Sequence, residues 1–150
     1  MKQLLAIHSS PSKNNSVTRQ LAEHLIQQWR QQNPDSTITE RDLALTPPPH
    51  LDEETIGAFY TPEADRTPEQ ANKIALSDEL IEELIAADAI VIGSPMHNFS
   101  ISSLLKTWID HVARVGKTFQ YTENGPVGLI KDKPVYVVVA RGGRYGEDSP

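Results

Sequence analysis

Residues 89–99 read "AIVIGSPMHNF". Four aliphatic residues, Ala89 to Ile92, pass through Gly93 into Ser94-Pro95-Met96-His97-Asn98-Phe99. A short unbroken apolar run bounded by turn residues is the pattern of a strand buried on both faces, as in a parallel sheet covered by helices. The residues after it are unusual for a plain turn: a hydroxyl, a proline, a thioether, an imidazole, an amide and a phenyl ring in succession. In parallel sheets, ligands bind beyond the carboxyl ends of the strands, where strand order reverses.

On the N-terminal side, Gln3 to Ile7 forms a short apolar strand, and Ser9-Ser10-Pro11-Ser12-Lys13-Asn14-Asn15-Ser16 is turn chemistry throughout. Val17, Leu21, Leu25 and Trp29 recur every four residues, and Ala22 and Ile26 fill the same face. That spacing predicts an amphipathic helix ending before Pro34. Thr37 to Leu43 mixes β-branched and charged residues, as an exposed edge strand does. Residues 46–66 are the least regular, with prolines at 47, 48, 49 and 62 and a short helix expected from Asp52. Order returns at Thr67-Pro68-Glu69-Gln70, where Thr67 caps, Pro68 takes the first helical position and Gln70 closes a capping box. One helix is expected from there through Ile74, Leu80, Ile81, Leu84 and Ile85, reaching the strand at Ala89.

On the C-terminal side, Ile101, Leu104, Leu105, Trp108, Ile109 and Val112 make another helical stripe. Thr118 to Tyr121 alternates polar and aromatic residues and ends in the turn signal Glu123-Asn124-Gly125-Pro126. Val135 to Ala140 has the strongest strand pattern of the chain, is read as buried on both faces, and runs into Arg141-Gly142-Gly143-Arg144. Four strands alternate with three helices or helical segments, the pattern of an α/β domain with a doubly wound parallel sheet. At 150 residues, one domain covering 1–150 is expected.

Composition narrows the chemistry. With 20 acidic against 14 basic residues the net charge is −6, which argues against a nucleic-acid partner. The absence of cysteine removes disulfides, thiolate metal sites and a cysteine nucleophile. The five histidines show no paired ligand spacing, so no metal is expected. The N-terminal apolar run is too short for a signal peptide, and no run approaches membrane-spanning length. A cytoplasmic protein without a membrane partner is expected.

Three strand ends therefore carry loops of ligand-binding composition: 9–16, 94–100 and 141–144. The first leads into a helix N-terminus at Ser16-Val17-Thr18, where free N–H groups and the helix dipole favour an anion. A polar loop with Ser16 as a mere cap fits the same composition; the other two loops tip the reading toward phosphate. Neither Gly-x-x-x-x-Gly-Lys-Ser/Thr nor Gly-x-Gly-x-x-Gly occurs. Ser9 and Ser94 stand where a receiver domain needs acids, and Ser94 lacks the Gly-x-Ser-x-Gly elbow. Gly142-Gly143 fits a tight turn as well as close approach by a flat ring. Phe99, beside Met96 and Asn98, reads as the wall of an aromatic-ligand pocket. No side chain is assigned a catalytic role.

At these residues the sequence resembles the FMN-dependent NADH-azoreductases, a family of flavodoxin-like quinone and azo-dye reductases. The matching stretches are Ser9-Ser10 with Ser16-Val17-Thr18, Pro95 to Ile101, Thr118 to Pro126, and Arg141-Gly142-Gly143, together with "ALSDELIEEL" at 75–84. The resemblance implies a flavodoxin-like sheet of order 2-1-3-4(-5). Its final strand and helices are expected to be missing from this chain, which ends soon after the fourth strand. It implies FMN as cofactor, with Ser10, Ser16, Val17 and Thr18 on the phosphate. Met96, His97, Asn98, Phe99, Ala140, Arg141, Gly142 and Gly143 would hold the isoalloxazine, His97 chiefly through its main chain, and Tyr121 would lie by the substrate. It further implies NADH as donor, a quinone or aromatic azo compound as acceptor in a two-electron ping-pong cycle, and a homodimer. The family usually has tyrosine where this chain has His97. The alternatives are a flavodoxin-like electron carrier without NADH activity and a flavin-free interaction domain.

Overall fold

The computed structural model describes residues 1–147. A four-stranded sheet forms its centre, with β1 (Gln3–His8), β2 (Thr37–Asp42), β3 (Ala89–Pro95) and a last strand, β6 (Val135–Ala140). Its spatial order is β2-β1-β3-β6 and every neighbouring pair is parallel. This is the expected order 2-1-3-4. The fourth sheet strand is numbered sixth because β4 (Phe119–Thr122) and β5 (Gly125–Gly128) intervene as a separate antiparallel hairpin. Gly125 supplies the positive φ, 104°, that the turn between them needs.

Period-two alternation divides β1 between two cores. Leu4 and Ala6 pack with Ala89 and Val91 of β3 against Ala22 and Ile26 of α1 (Val17–Gln32). Leu5 and Ile7 pack with Ile90 on the other face, against Leu80 and Ile81 of α4 (Ala75–Ala86) and Leu105, Trp108 and Val112 of α5 (Ser103–Val112). Helices on both faces of a parallel sheet are what its uninterrupted aliphatic strands require.

Several elements differ from the sequence reading, each for a local reason. The buried face of α1 is Thr18, Ala22 and Ile26, whereas Val17 and Leu21 are exposed. The helix is thus rotated about one residue from the four-residue stripe, because Thr18 must pack over Gly93 where α1 meets β3. The helix expected from Pro68 onward is two. Thr67 and Gln70 do form the capping box of α3 (Pro68–Lys73), but Ile74 leaves helical geometry at φ −101°, ψ 2° before α4 begins. Asp52 caps α2 (Glu53–Tyr60), as the sequence suggested, through a hydrogen bond from the Thr55 N–H.

The reading of Val135–Val139 as a strand buried on both faces is corrected. Val135, Val137 and Val139 are each more than half exposed, while Val138 joins the α1 core. Burial of both faces needs cover from two sides, and α1 is the helix that packs on β6.

Candidate functional site

The chain passes from β1 outward to β2 and returns to the opposite side of β1 as β3. Strand order therefore reverses between β1 and β3, the position where a crevice opens at the carboxyl edge. His8 stands level with Gly93, and Pro95 level with Ala140. In consequence the loops after β1, β3 and β6 leave the sheet at one edge, as anticipated.

Two serines tie the edge together. Ser9 Oγ donates to the Gly93 carbonyl, and Ser102 Oγ donates to the Ser9 carbonyl at 2.7 Å. Ser102 also caps α5 by accepting the Leu105 N–H at 3.2 Å, so one hydroxyl fixes both a helix start and a loop.

The first loop presents donors. Ser16 caps α1, its Oγ accepting the Arg19 N–H at 3.3 Å and lying 3.2 Å from Thr18 Oγ1. The N–H groups of Val17 and Thr18, the first two of the helix, have no partner among the described residues. Ser10, Ser16 and Thr18 are buried and Val17 is exposed. Asn15, at φ 59°, makes the bend that leads into the helix.

The second loop is a tight turn. Asn98 and Phe99 both have positive φ, 49° and 64°, between His97 and Ser100. The Met96 N–H donates to the Ala140 carbonyl at 2.8 Å, and the His97 N–H to Ser100 at 2.9 Å. The main-chain donors of Met96 and His97 are thus spent inside the protein. Those of Asn98 and Phe99 have no partner among the described residues. An open cleft of about 260 Å³ lies beside this turn, lined by Ser94, Pro95, Met96, Phe99, Val139 and Arg141 among others.

In the third loop, a side chain on Gly142 would meet open space, and neither Gly142 nor Gly143 has positive φ. The pair is therefore not explained by a strained turn. Tyr145 folds back so that a Cβ on Gly143 would touch its ring at 3.6 Å, and it meets Phe99 edge-on with ring centroids 5.5 Å apart.

Tyr121 is not among the residues lining the cleft. It sits on the β4–β5 hairpin, 71% exposed and edge-on to Phe119. The irregular 46–66 segment does not line the cleft either. His111 Nε2 lies 2.7 Å from the Pro49 carbonyl, and Arg114 stacks its guanidinium over Phe59 at 4.7 Å, which hold the segment against α5 and its exit.

Sequence reasoning missed Arg19. Its guanidinium donates two hydrogen bonds to Asp42 (Nη1 to Oδ2 2.6 Å, Nη2 to Oδ1 2.9 Å), and also donates to the Ser10 and Ser12 carbonyls. The hydrogen bond from Arg19 holds the Asp42 carboxyl below its ordinary range, and the pair raises Arg19 in turn. The available signal was an arginine three residues past the Ser16 cap and an aspartate ending the second strand.

A parallel sheet of order 2-1-3, with donor-rich loops gathered at its switch point, defines a flavodoxin-like α/β protein. Comparison with known proteins agrees: the flavodoxin-like fold family matches residues 2–150. The chain is 52% identical over 147 residues to the FMN-dependent NADH:quinone oxidoreductase of Herminiimonas arsenicoxydans, spanning 98% of this chain and 72% of that protein. Among solved structures, an azoreductase from Bacillus anthracis str. Sterne superposes with a TM-score of 0.86 at 33% identity, over 97% of this chain and 71% of the other. An FMN-dependent NADH-azoreductase from Bacillus anthracis str. Ames Ancestor, solved in complex with FMN, gives 0.86 at 29% identity over 99% and 73%. The chain belongs to the flavodoxin-like family of FMN-dependent NADH:quinone oxidoreductases and azoreductases.

Proposed function

We propose that the protein is an FMN-dependent NADH oxidoreductase that reduces quinones and aromatic azo compounds. One observation carries the reading at the level of residues: N–H donors without a partner among the described residues stand at two of the three loops at the carboxyl edge. Val17 and Thr18 offer theirs beside the buried hydroxyls of Ser10 and Ser16, a setting suited to the flavin phosphate. Asn98 and Phe99 offer theirs at the turn whose Phe99 lines the cleft with Met96 and Arg141, and Ala140, Gly142 and Gly143 would complete a surface for a flat ring. The residues present thus fit FMN at both ends.

When bound, FMN supplies the two-electron chemistry between NADH and the acceptor. The chain's part is to bind and orient. The helix start would compensate phosphate charge, and the donors at 98 and 99 would stabilise negative charge on the ring. Gly142, lacking a side chain, leaves room for a second flat molecule to approach. Both main-chain groups of His97 are bonded to Ser100, so His97 would serve the ring by fixing the turn that carries Asn98 and Phe99. Tyr121 is assigned to the substrate side of a homodimer, where the exposed hairpin of one subunit would complete the site of the other. A cytoplasmic location and a single FMN-binding domain over 1–150 belong to the same proposal.

The test uses the purified full-length protein. A yellow protein bleached by NADH alone and recoloured by a quinone is the expected result. A yellow protein indifferent to NADH would point to an electron carrier, and a protein that cannot be loaded with FMN would overturn the reading.

A further inference from the structure

The side chain of Arg19 lies at the phosphate loop yet has almost nothing left to give a phosphate. Nε donates to the Ser12 carbonyl at 2.9 Å, Nη2 to the Ser10 carbonyl at 2.8 Å, and both terminal nitrogens to Asp42. Four hydrogen bonds are made, and the charge is matched by a carboxylate that also accepts the Ala44 N–H at 3.0 Å. We infer that Arg19 is a positioning residue of the flavin site, one that turns the carbonyl dipoles of loop 9–16 away from the bound phosphate without touching it. This inference rests on the reading of that loop as the phosphate site.

The geometry explains why an arginine is needed. A carbonyl oxygen facing a phosphate repels it, and an eight-residue polar loop has many ways to present one. Arg19 draws the oxygens of Ser10 and Ser12 to its own side. Every peptide among the described residues is trans, so the N–H that follows the Ser12 carbonyl, that of Lys13, points to the opposite side of the loop. Asp42, at the end of β2, fixes the guanidinium to the sheet. The planar fork can serve two carbonyls and a carboxylate at once; an ammonium cannot hold that arrangement.

The mechanism makes a sign prediction that simple electrostatics reverses. Removing the negative charge of Asp42 near an anion site should tighten phosphate binding if charge alone mattered. If Asp42 serves to aim Arg19, the same change should weaken it.

Dissociation constants for FMN and for riboflavin, which lacks the phosphate, are measured by flavin fluorescence on the full-length apoprotein, for wild type, Arg19→Lys and Asp42→Asn. Both variants are expected to lose at least about tenfold in FMN affinity while riboflavin affinity stays within about twofold. An Arg19→Lys protein that binds FMN like wild type would show that charge suffices and would overturn the inference. So would an Asp42→Asn protein with unchanged or tighter FMN binding, or parallel loss of both flavins, which would mark a general loss of structure. A wild-type protein that binds riboflavin as tightly as FMN would instead remove the phosphate from this loop, and the inference would fall with that reading.

Discussion

His97 and Ser100 exchange both of their backbone hydrogen bonds, N–H to carbonyl in each direction at 2.9 Å. The two residues they enclose, Asn98 and Phe99, both lie in the left-handed region. A two-residue turn with positive φ at both centres ordinarily takes Asn-Gly. Asparagine fits its place here; phenylalanine does not, and its backbone carries a cost of roughly 1–2 kcal/mol. Strain of this kind clusters at functional sites, and Phe99 is one of the residues that line the cleft.

Phe99→Gly should therefore make the apoprotein more stable. The ring is 76% exposed, so little burial is lost with it. Relief of strain, less the entropy lost by ordering a glycine, leaves a net gain of up to about 1 kcal/mol. Flavin affinity should fall, because the cleft loses a wall. Urea denaturation of the apoprotein and an FMN titration measure the two effects; a less stable apoprotein would show that the turn is not strained.

The rotation of α1 can be checked by a pair of substitutions. Ile26 is fully buried against β1 and β3, while Leu21 is 42% exposed. Ile26→Ala should cost about 2–5 kcal/mol and Leu21→Ala about 0.5 or less. Comparable losses in thermal denaturation would restore the face that the four-residue spacing suggested.

That helix illustrates which features were legible. Val17, Leu21, Leu25 and Trp29 announce a helix and its length correctly, but periodicity fixes the buried face only to about one residue. The final choice belonged to the fit of Thr18 over Gly93, a contact between elements distant in sequence. The strands at 3–8, 89–95 and 135–140 could be read because aliphatic runs bounded by turns have few other uses. The three loops could be placed at one edge because parallel topology leaves no alternative. The work of Arg19 was hidden, since its partners Ser10, Ser12 and Asp42 come from another loop and another strand. The division of donors between Met96 and His97, already bonded, and Asn98 and Phe99, without a partner among the described residues, depended on a turn with phenylalanine in glycine's place.

Gly142→Val separates fold from site. The new side chain would meet open space and no strained φ, so the apoprotein should keep its stability within about 0.5 kcal/mol. Ring approach should be obstructed, with FMN affinity reduced at least tenfold on the order of one lost close contact surface. The check is a flavin titration beside a melting curve. Unchanged affinity would place the ring elsewhere.

The last prediction concerns acid. Arg19 holds the Asp42 carboxyl below its ordinary range, principally through the hydrogen bond between them, with the Ala44 N–H adding to the effect against the opposing cost of burial. A carboxylate whose folded pKa is depressed binds its proton more readily in the unfolded chain. Its contribution to stability is therefore fully present above the unfolded value of about 3.9 and disappears as pH falls through the folded value. Asp42→Asn removes the titration but keeps the shape. The difference in stability between wild type and Asp42→Asn should stay constant from pH 7 to about 5 and shrink below about 4. Once Asp42 is protonated, the wild-type chain has lost the same charge as the variant. Urea denaturation of both proteins at several pH values between roughly 2.5 and 7 measures that difference. A gap that persists unchanged to the acid limit would mean that the Arg19–Asp42 pair stabilises the fold by shape and hydrogen bonding alone, with no net contribution from the charge.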